Sequence, residues 1–478
     1  MNVLSRRVAL LSLTFAACAS LPAVPTQGGP RWYRLESEHF VLHSDLSKES
    51  ARDRILLFER LLDAYCQLGW EAQGKLPVKL HVVVFSDSSD FEVFGGGDTA
   101  GFHVAAQFFE PLVVMPDAGR LERWQTLKHE LTHYIAFQSL PRQPPWFAEG
   151  LAVYFQTAYF DTQDRFVVGD VPAGLFSAVR GVRRVPVGEL FSAESWQTSA
   201  AYYGSAWLIV HYLMSKRGEA FAKYQDLLVD TQTADAAWAT AFPDLPAAAL
   251  DQEISRYFAT GEFAYFTRPV GPYPGAEPRV TELGDADVHA LRAQLYLNCP
   301  ACGAEERRLA AENVEQALRL EPHHLRASVI RNASLPPEQR LGVARELVRA
   351  HPEAWLAWVM LASAELSVGR CAPEVSAHLR ELGVSSARAL MFAAVCQAAS
   401  AERKAALELS ARALRRQPAD TAMLALQAGV FQAVGECAEL QRLLPRLREA
   451  VHPRLAPETL EALSKCRADA FSSTPTAP

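Results

Sequence analysis

The stretch Thr267-Arg268-Pro269-Val270-Gly271-Pro272-Tyr273-Pro274-Gly275 divides this chain into two parts of different architecture. Proline has no amide hydrogen for a helix or a sheet ladder, and glycine costs backbone entropy in either, so the cluster ends any regular element before it. Upstream, short β-branched and aromatic runs alternate with amphipathic helical patterns. Downstream, from about residue 286, Ala, Leu, Arg and Glu recur at helical spacing. The expected organisation is an α+β region at 32–265, a Pro/Gly-rich linker at 266–285, an all-α region at 286–470 and a disordered Ser/Thr/Pro-rich tail at 471–478. With 478 residues, 49% of them hydrophobic, the chain can fill two or three packed cores.

Within the first region, His129-Glu130-Leu131-Thr132-His133 is followed by Glu149 inside Trp146-Phe147-Ala148-Glu149-Gly150. Residues four apart share a helix face, so His129 and His133 can aim both imidazoles at one metal ion, with Glu130 beside them. Leu121, Trp124, Leu127, Leu131, Tyr134 and Ile135 recur at helical spacing, which places the motif on an amphipathic helix. Pro141 and Pro144-Pro145 end that helix and start another, Pro145 suiting a first turn four residues before Glu149. A helix, a turn and a second helix would bring Glu149 back toward the histidines. Two imidazoles and one carboxylate favour Zn2+, one per chain, with a fourth position for a water whose pKa the metal lowers. Glu130 is placed to remove that water's proton.

The run from Lys128 to Phe155, KHELTHYIAFQSLPRQPPWFAEGLAVYF, resembles the gluzincin metallopeptidases, closest to the compact peptidase MA-like group in which HExxH precedes a W-x-x-E-G-x-A segment. The resemblance extends over roughly residues 32 to 262. It implies a zincin-like fold, a peptide or protein substrate, His129, His133 and Glu149 as zinc ligands, and Glu130 as general base. Phe40 to His43, Val78 to Phe85 and Glu110 to Met115 read as strands, with a helix from about Lys48 to Leu68. In such enzymes the strand just before the metal helix is an edge that pairs with the substrate backbone. Ala201 to Trp207 opens a long helix that is similar to the Y-x-x-(A/S)-x-x-(F/W) helix of the group. Gluzincins commonly stabilise the oxyanion with a Tyr or His from this half; Tyr202, Tyr203 and His211 are available, and Tyr203 is favoured. The bland reading of each is packing at the core or its rim; His103 could line the cleft, although a strand-end histidine usually has no special role.

In the second region, Leu318 to Pro322, Leu347 to Pro352 and Leu414 to Pro418 share a helix-ending pattern whose prolines are 30 and 66 residues apart, the latter two units of 33. This period resembles tetratricopeptide repeats, helical hairpins that must stack to bury their apolar sides. The fold class expected is therefore an α+β zincin-like metallopeptidase domain followed by an all-α, TPR-like helical-hairpin solenoid, whose concave surface can take a protein partner.

Arg6-Arg7, the apolar run Val8 to Phe15 and Ala16-Ala17-Cys18 have the layout of a secretory signal, and small residues before Cys18 resemble a bacterial lipobox. The expectation is export to the cell envelope of a bacterium, with residues 1–18 as the signal and Cys18 as a lipid anchor; cleavage elsewhere is the alternative, and Ser5-Arg6-Arg7 has a twin-arginine look. Export fits the cysteines: Cys66 stands alone, whereas Cys299, Cys302, Cys371, Cys396, Cys437 and Cys466 form an even set, read as 299 with 302, 371 with 396 and 437 with 466 among fifteen possible pairings. Cys299 to Cys302 could also form a redox or metal C-x-x-C, but no second such pair and no thioredoxin-like strand pattern accompany it.

A net charge of −7 leaves no basic stripe for nucleic acid, and no second apolar stretch would span a bilayer, so membrane attachment would rest on Cys18. Two functions remain. One is an exported, lipid-anchored zinc metallopeptidase. The other is an envelope scaffold lipoprotein whose repeats bind a partner and whose metallopeptidase domain is inactive; the complete His129, Glu130, His133, Glu149 set argues for the first.

Overall fold

The computed structural model describes residues 23–466 apart from 69–78, 96–100, 105–108, 111, 118–123, 141–142, 173, 175, 178–179, 181–183, 193–198, 230–232, 272, 274, 300–301, 384–385, 418–420 and 450–456. The expected signal with Cys18 and the tail at 471–478 lie outside the described residues.

The first region is a mixed α/β unit. Its strands are β1 (Tyr33–Glu36), β2 (Phe40–Ser44), β3 (Leu80–Phe85), β4 (Phe102–Val104) and β5 (Leu112–Pro116), with helices α1 (Lys48–Gln67) and α2 (Ser88–Gly95) between them. The order across the sheet is β4-β5-β3-β2-β1-β9, where β9 (Arg279–Glu282) comes from beyond the Pro/Gly cluster. β2, β3 and β5 run parallel, and β4, β1 and β9 antiparallel to their neighbours. Parallel neighbours need a crossover, which α1 supplies between β2 and β3. Ser47 starts α1 by accepting the amide of Ser50 at 3.1 Å.

Both faces of this sheet are covered, which is why β3 and β5 read as nearly continuous apolar runs. Leu35, Leu42, Val82, Val84, Val113 and Met115 pack toward α1, α3 (Gln125–Ser139) and α4 (Pro145–Gln156). Val83, Phe85, Leu112 and Val114 pack the other way, on Phe91 and Phe94 of α2 and on Val288, Leu291 and Leu295 of a helix from the second region. The α3–α4 side is completed by α5 (Val187–Ser192), α6 (Ala200–Lys216), α7 (Gly218–Val229), α8 (Ala234–Ala241) and α9 (Ala247–Thr260), and by an antiparallel sheet of β6 (Tyr159–Phe160), β7 (Arg165–Val168) and β8 (Phe266–Pro269).

Two expectations change here. The strand before α3 is not an edge, because β4 lies outside β5; Phe102-His103-Val104 is too short to be read as a strand from sequence. The 266–285 stretch is more than a linker, since β8 and β9 join two sheets on either side of the Pro/Gly cluster. Neither strand announces itself: β8 is exposed along its whole length, and Val280 is the single large apolar residue of β9.

The second region is helical: α10 (Asp285–Asn298), α11 (Ala304–Leu320), α12 (Leu325–Ser334), α13 (Pro337–Ala350), α14 (Trp355–Leu366), α15 (Pro373–Leu382), α16 (Ala387–Ala399), α17 (Arg403–Arg416), α18 (Thr421–Ala433), α19 (Cys437–Glu449) and α20 (Pro457–Ser464). Consecutive helices pack together from α10 to α20, and alternate ones touch as well, α10 with α12, α12 with α14, α14 with α16 and α16 with α18. The even-numbered series is the inner layer, α14 and α16 being buried along almost their whole length. Disulfides join Cys299 to Cys302, Cys371 to Cys396 and Cys437 to Cys466. α10, the first helix of this array, is also the cover of the sheet's second face, so the two regions share a core. Among the described residues no helix is long and apolar enough to cross a membrane.

Candidate metal centre

The site is built where α3 and α4 meet. Leu127, Leu131 and Ile135 form the buried stripe of α3 against the sheet. His129 and His133, two residues out of step with that stripe, face the other way and share one side. Lys128 is wholly buried and donates from Nζ to the carbonyl of Ala158 at 2.7 Å, which fastens α3 to the end of α4. Pro145 opens α4 in the first turn, where its missing amide hydrogen is not needed. Trp146 stacks on Phe191 and meets Trp238 edge-on, holding the start of the helix in an aromatic hub. One turn later Glu149 points back at α3, 5% exposed.

His129 Nε2 lies 3.1 Å from His133 Nε2, and Glu149 Oε2 lies 3.0 Å from the first and 3.6 Å from the second. A tetrahedral zinc site with bonds of about 2.0–2.2 Å spaces neighbouring donor atoms about 3.3–3.6 Å apart. Among the described residues this is the one group of three metal-binding side chains so gathered.

The protonation pattern agrees. His129 Nδ1 stands 3.1 Å from Gln156 Oε1, an acceptor, so the proton of the neutral ring is on Nδ1 and Nε2 presents a lone pair. That lone pair faces a carboxylate oxygen and a second imidazole nitrogen, an arrangement that calls for a positive charge at its centre. Burial opposes a charged imidazole, yet Glu149, by hydrogen bond and charge, with Glu130 and Gln156 behind it, pushes His129 up to about 9. Burial likewise opposes an ionised Glu149, but the two imidazoles hold it down at about 2. In the metal-free chain a proton fills the place of a cation.

Around this cluster, α6 presses on α4 at Gly150. A Cβ there would sit 2.4 Å from the Ala206 carbonyl oxygen and 2.7 Å from Val210, so only glycine lets the helices approach this closely. The approach brings Tyr203 to the site: its ring stands edge-on to His129 at 6.1 Å, and Glu149 and Glu130 add to burial in raising its pKa, so the phenol keeps its proton. Tyr202 is fully buried and its hydroxyl has no hydrogen-bond partner among the described residues. Burial, then Glu149, raises its pKa as well.

A family described as a protein of unknown function, DUF1570, matches residues 123–233. The matched stretch runs from α3 past α7 and therefore contains the whole cluster with Gln125, Gln156 and both tyrosines. No curated protein matches the chain.

The remaining candidates separate cleanly. His211 is wholly buried, its Nε2 3.0 Å from the Gly169 carbonyl and its Nδ1 2.9 Å from the Tyr257 hydroxyl, so it is a packed core histidine outside the His129–His133–Glu149 cluster. The backbone of His103 lies in β4 opposite Val113. Gln156 escaped the sequence reading, although it follows Glu149 by seven residues, two turns along the same helix face, and that spacing was available.

Proposed function

We propose that the chain is an exported zinc metallopeptidase of the gluzincin kind, with a zincin-like first region and a TPR-like helical solenoid behind it. The observation that supports this best is the convergence of His129 Nε2, His133 Nε2 and Glu149 Oε2 at 3.0–3.6 Å on helices that also carry Glu130.

In this reading His129, His133 and Glu149 hold one zinc ion, which when bound supplies Lewis-acid activation of water and of the scissile carbonyl. Glu130 lies outside the donor triangle, close enough for its charge to act on His129 and Tyr203. It takes the proton of the attacking water and passes it to the leaving amine. Tyr203, protonated at neutral pH, donates its hydroxyl to the oxyanion that forms. A peptide backbone adds to the outer edge of β4, which Gly101 sets tight against α3: a Cβ at Gly101 would meet Thr126 at 2.6 Å. Three disulfides fit folding in an oxidising compartment, with Cys18 as the lipid anchor. The array α10–α20, stacked on the sheet face opposite α3, offers a surface for a protein partner without covering the ligands from that side.

Elemental analysis of the purified chain and of Glu149→Ala, with peptidase assays of wild type and Glu130→Gln, tests the assignment. Expected are one zinc per chain, its loss in Glu149→Ala, and no hydrolysis by a still-metallated Glu130→Gln. Absence of metal from the wild type would overturn the metal reading. Full zinc with Glu130→Gln as active as wild type would overturn the role of Glu130.

A further inference from the structure

We propose that Gln156 is the positioning residue of the metal centre, and that its being a neutral amide sets how strongly the site holds its ion and how electrophilic that ion stays. The inference rests on the metal-site reading above.

Gln156 is the last residue of α4. Its Oε1 accepts from His129 Nδ1 at 3.1 Å, and its Nε2 donates to Gln125 Oε1 at 3.4 Å. Gln125 opens α3 four residues before His129, one turn away on the same face. The three side chains thus form a chain that leaves α3, touches α4 and returns to α3. Gln125 has a part in it: by accepting from the amide nitrogen it turns the carbonyl of Gln156, rather than its NH2, toward His129. With a carbonyl there, His129 must carry its proton on Nδ1 and its lone pair on Nε2, the nitrogen that faces Glu149 and His133.

The identity of the residue matters beyond its aim. A carboxylate at this position would fix the same tautomer but would also draw the Nδ1 proton toward itself, making the imidazole a stronger donor and adding a negative charge. The cluster already has Glu149 as ligand and Glu130 alongside. A third carboxylate would leave a divalent ion over-neutralised and less able to acidify water. An amide orients the ring without that charge. It favours a moderate hold on the ion and a strong Lewis acid over the tightest binding.

Gln156→Leu and Gln156→Glu, made in the full chain, separate this from a packing role. Zinc affinity is read by competition with a chromophoric chelator at one pH, and the ligand field by the visible spectrum of the cobalt-substituted protein. Expected is a loss of about 10–100-fold in Gln156→Leu, a gain in Gln156→Glu, and a displaced cobalt band in both. Gln125→Leu, at an exposed position, should lose affinity in the same direction by less. Opposite signs at one position are the signature, because a merely structural role would weaken both variants alike. Gln156→Leu within twofold of wild type would overturn the proposal, as would equal weakening of both variants. A wild type that binds no zinc would overturn the metal reading beneath it, before any variant is compared.

Discussion

At the scale of single residues, the cluster is a place for one positive charge, and in the reading proposed above proton and metal compete for it. His129 pushed up to about 9 means that metal must displace a proton throughout the neutral range. Apparent zinc affinity should therefore rise about tenfold per pH unit between about pH 6 and 8, as long as one proton is released. Chelator competition at several pH values checks this, and a flat profile would mean that the metal-free ring is already neutral. The two neighbouring tyrosines should part company. If the chain is the metallopeptidase proposed above, Tyr203→Phe removes a donor beside His129 and should lower kcat by about 10²–10³ with metal content unchanged, the usual cost of losing one oxyanion donor. Tyr202→Phe removes a buried hydroxyl that has no partner among the described residues, so kcat and thermal midpoint should both stay near wild type. Equal kcat losses in both variants would reassign the donor.

At the scale of elements, Gly150 governs how α4 and α6 meet. Gly150→Ala puts a methyl group against the Ala206 carbonyl, a backbone atom that cannot rotate away. Overpacking of this kind costs about 1–3 kcal/mol, and because Glu149 is the adjacent residue, zinc affinity should fall along with stability. Urea unfolding and chelator competition on the same sample would show whether the two losses travel together. What could be read from sequence follows the same logic. α3 and α4 were legible because their signals are local: a four-residue histidine spacing, an apolar stripe, and a proline in the first turn. β4, β8 and β9 were not, since runs of three or four residues are too short for an apolar pattern to mark them and become strands only when a distant partner supplies the ladder. The helical region was legible as helix, but the second task of its first member was not, because Val288, Leu291 and Leu295 give α10 the same apolar stripe whether it packs on helices alone or, as here, on a sheet as well. The grouping of His129, His133 and Glu149 was visible for the reason α3 was. Gln156 was passed over because an amide carries no charge to draw attention and acts only through His129.

At the scale of the whole molecule, the seam between sheet and helical array carries a buried polar cluster that should make the protein sensitive to acid. His43 on β2 and His81 on β3 lie on one sheet face with ring centroids 5.9 Å apart. Arg326 of α12 faces them, stacked on Phe109 at 5.8 Å and donating to Gln294 of α10 at 2.7 Å. Arg34 and Lys79 add positive charge; of the nearby carboxylates, Glu36 is already engaged by Arg34, Lys79 and Arg279, and Asp287, whose charge acts on Arg326, is engaged by His324. Burial first, then Arg326, holds His43 well below the usual imidazole range and His81 down at about 3. Both rings stay neutral in the folded chain while their unfolded counterparts take up protons below about pH 6.5. A folded pKa that is depressed means the unfolded state binds more protons, so stability falls as the pH drops from about 6.5 toward 3, by as much as about 1.4 kcal/mol per pH unit for each ring. The three disulfides oppose complete opening of the array: the loops of 25 and 29 residues closed by Cys371–Cys396 and Cys437–Cys466 limit the unfolded chain by about 3–4 kcal/mol each. Among the described residues the seam itself has no such tie. Acid should therefore part the array from the sheet before it unfolds either one, and His81→Gln, which keeps a polar ring-sized group but takes up no proton, should flatten the fall. Urea midpoints at pH 7, 6, 5 and 4 for wild type and His81→Gln would measure the difference, expected to approach one proton's slope. Identical slopes would show that His81 is charged in the folded chain and that Arg326 has moved away from it.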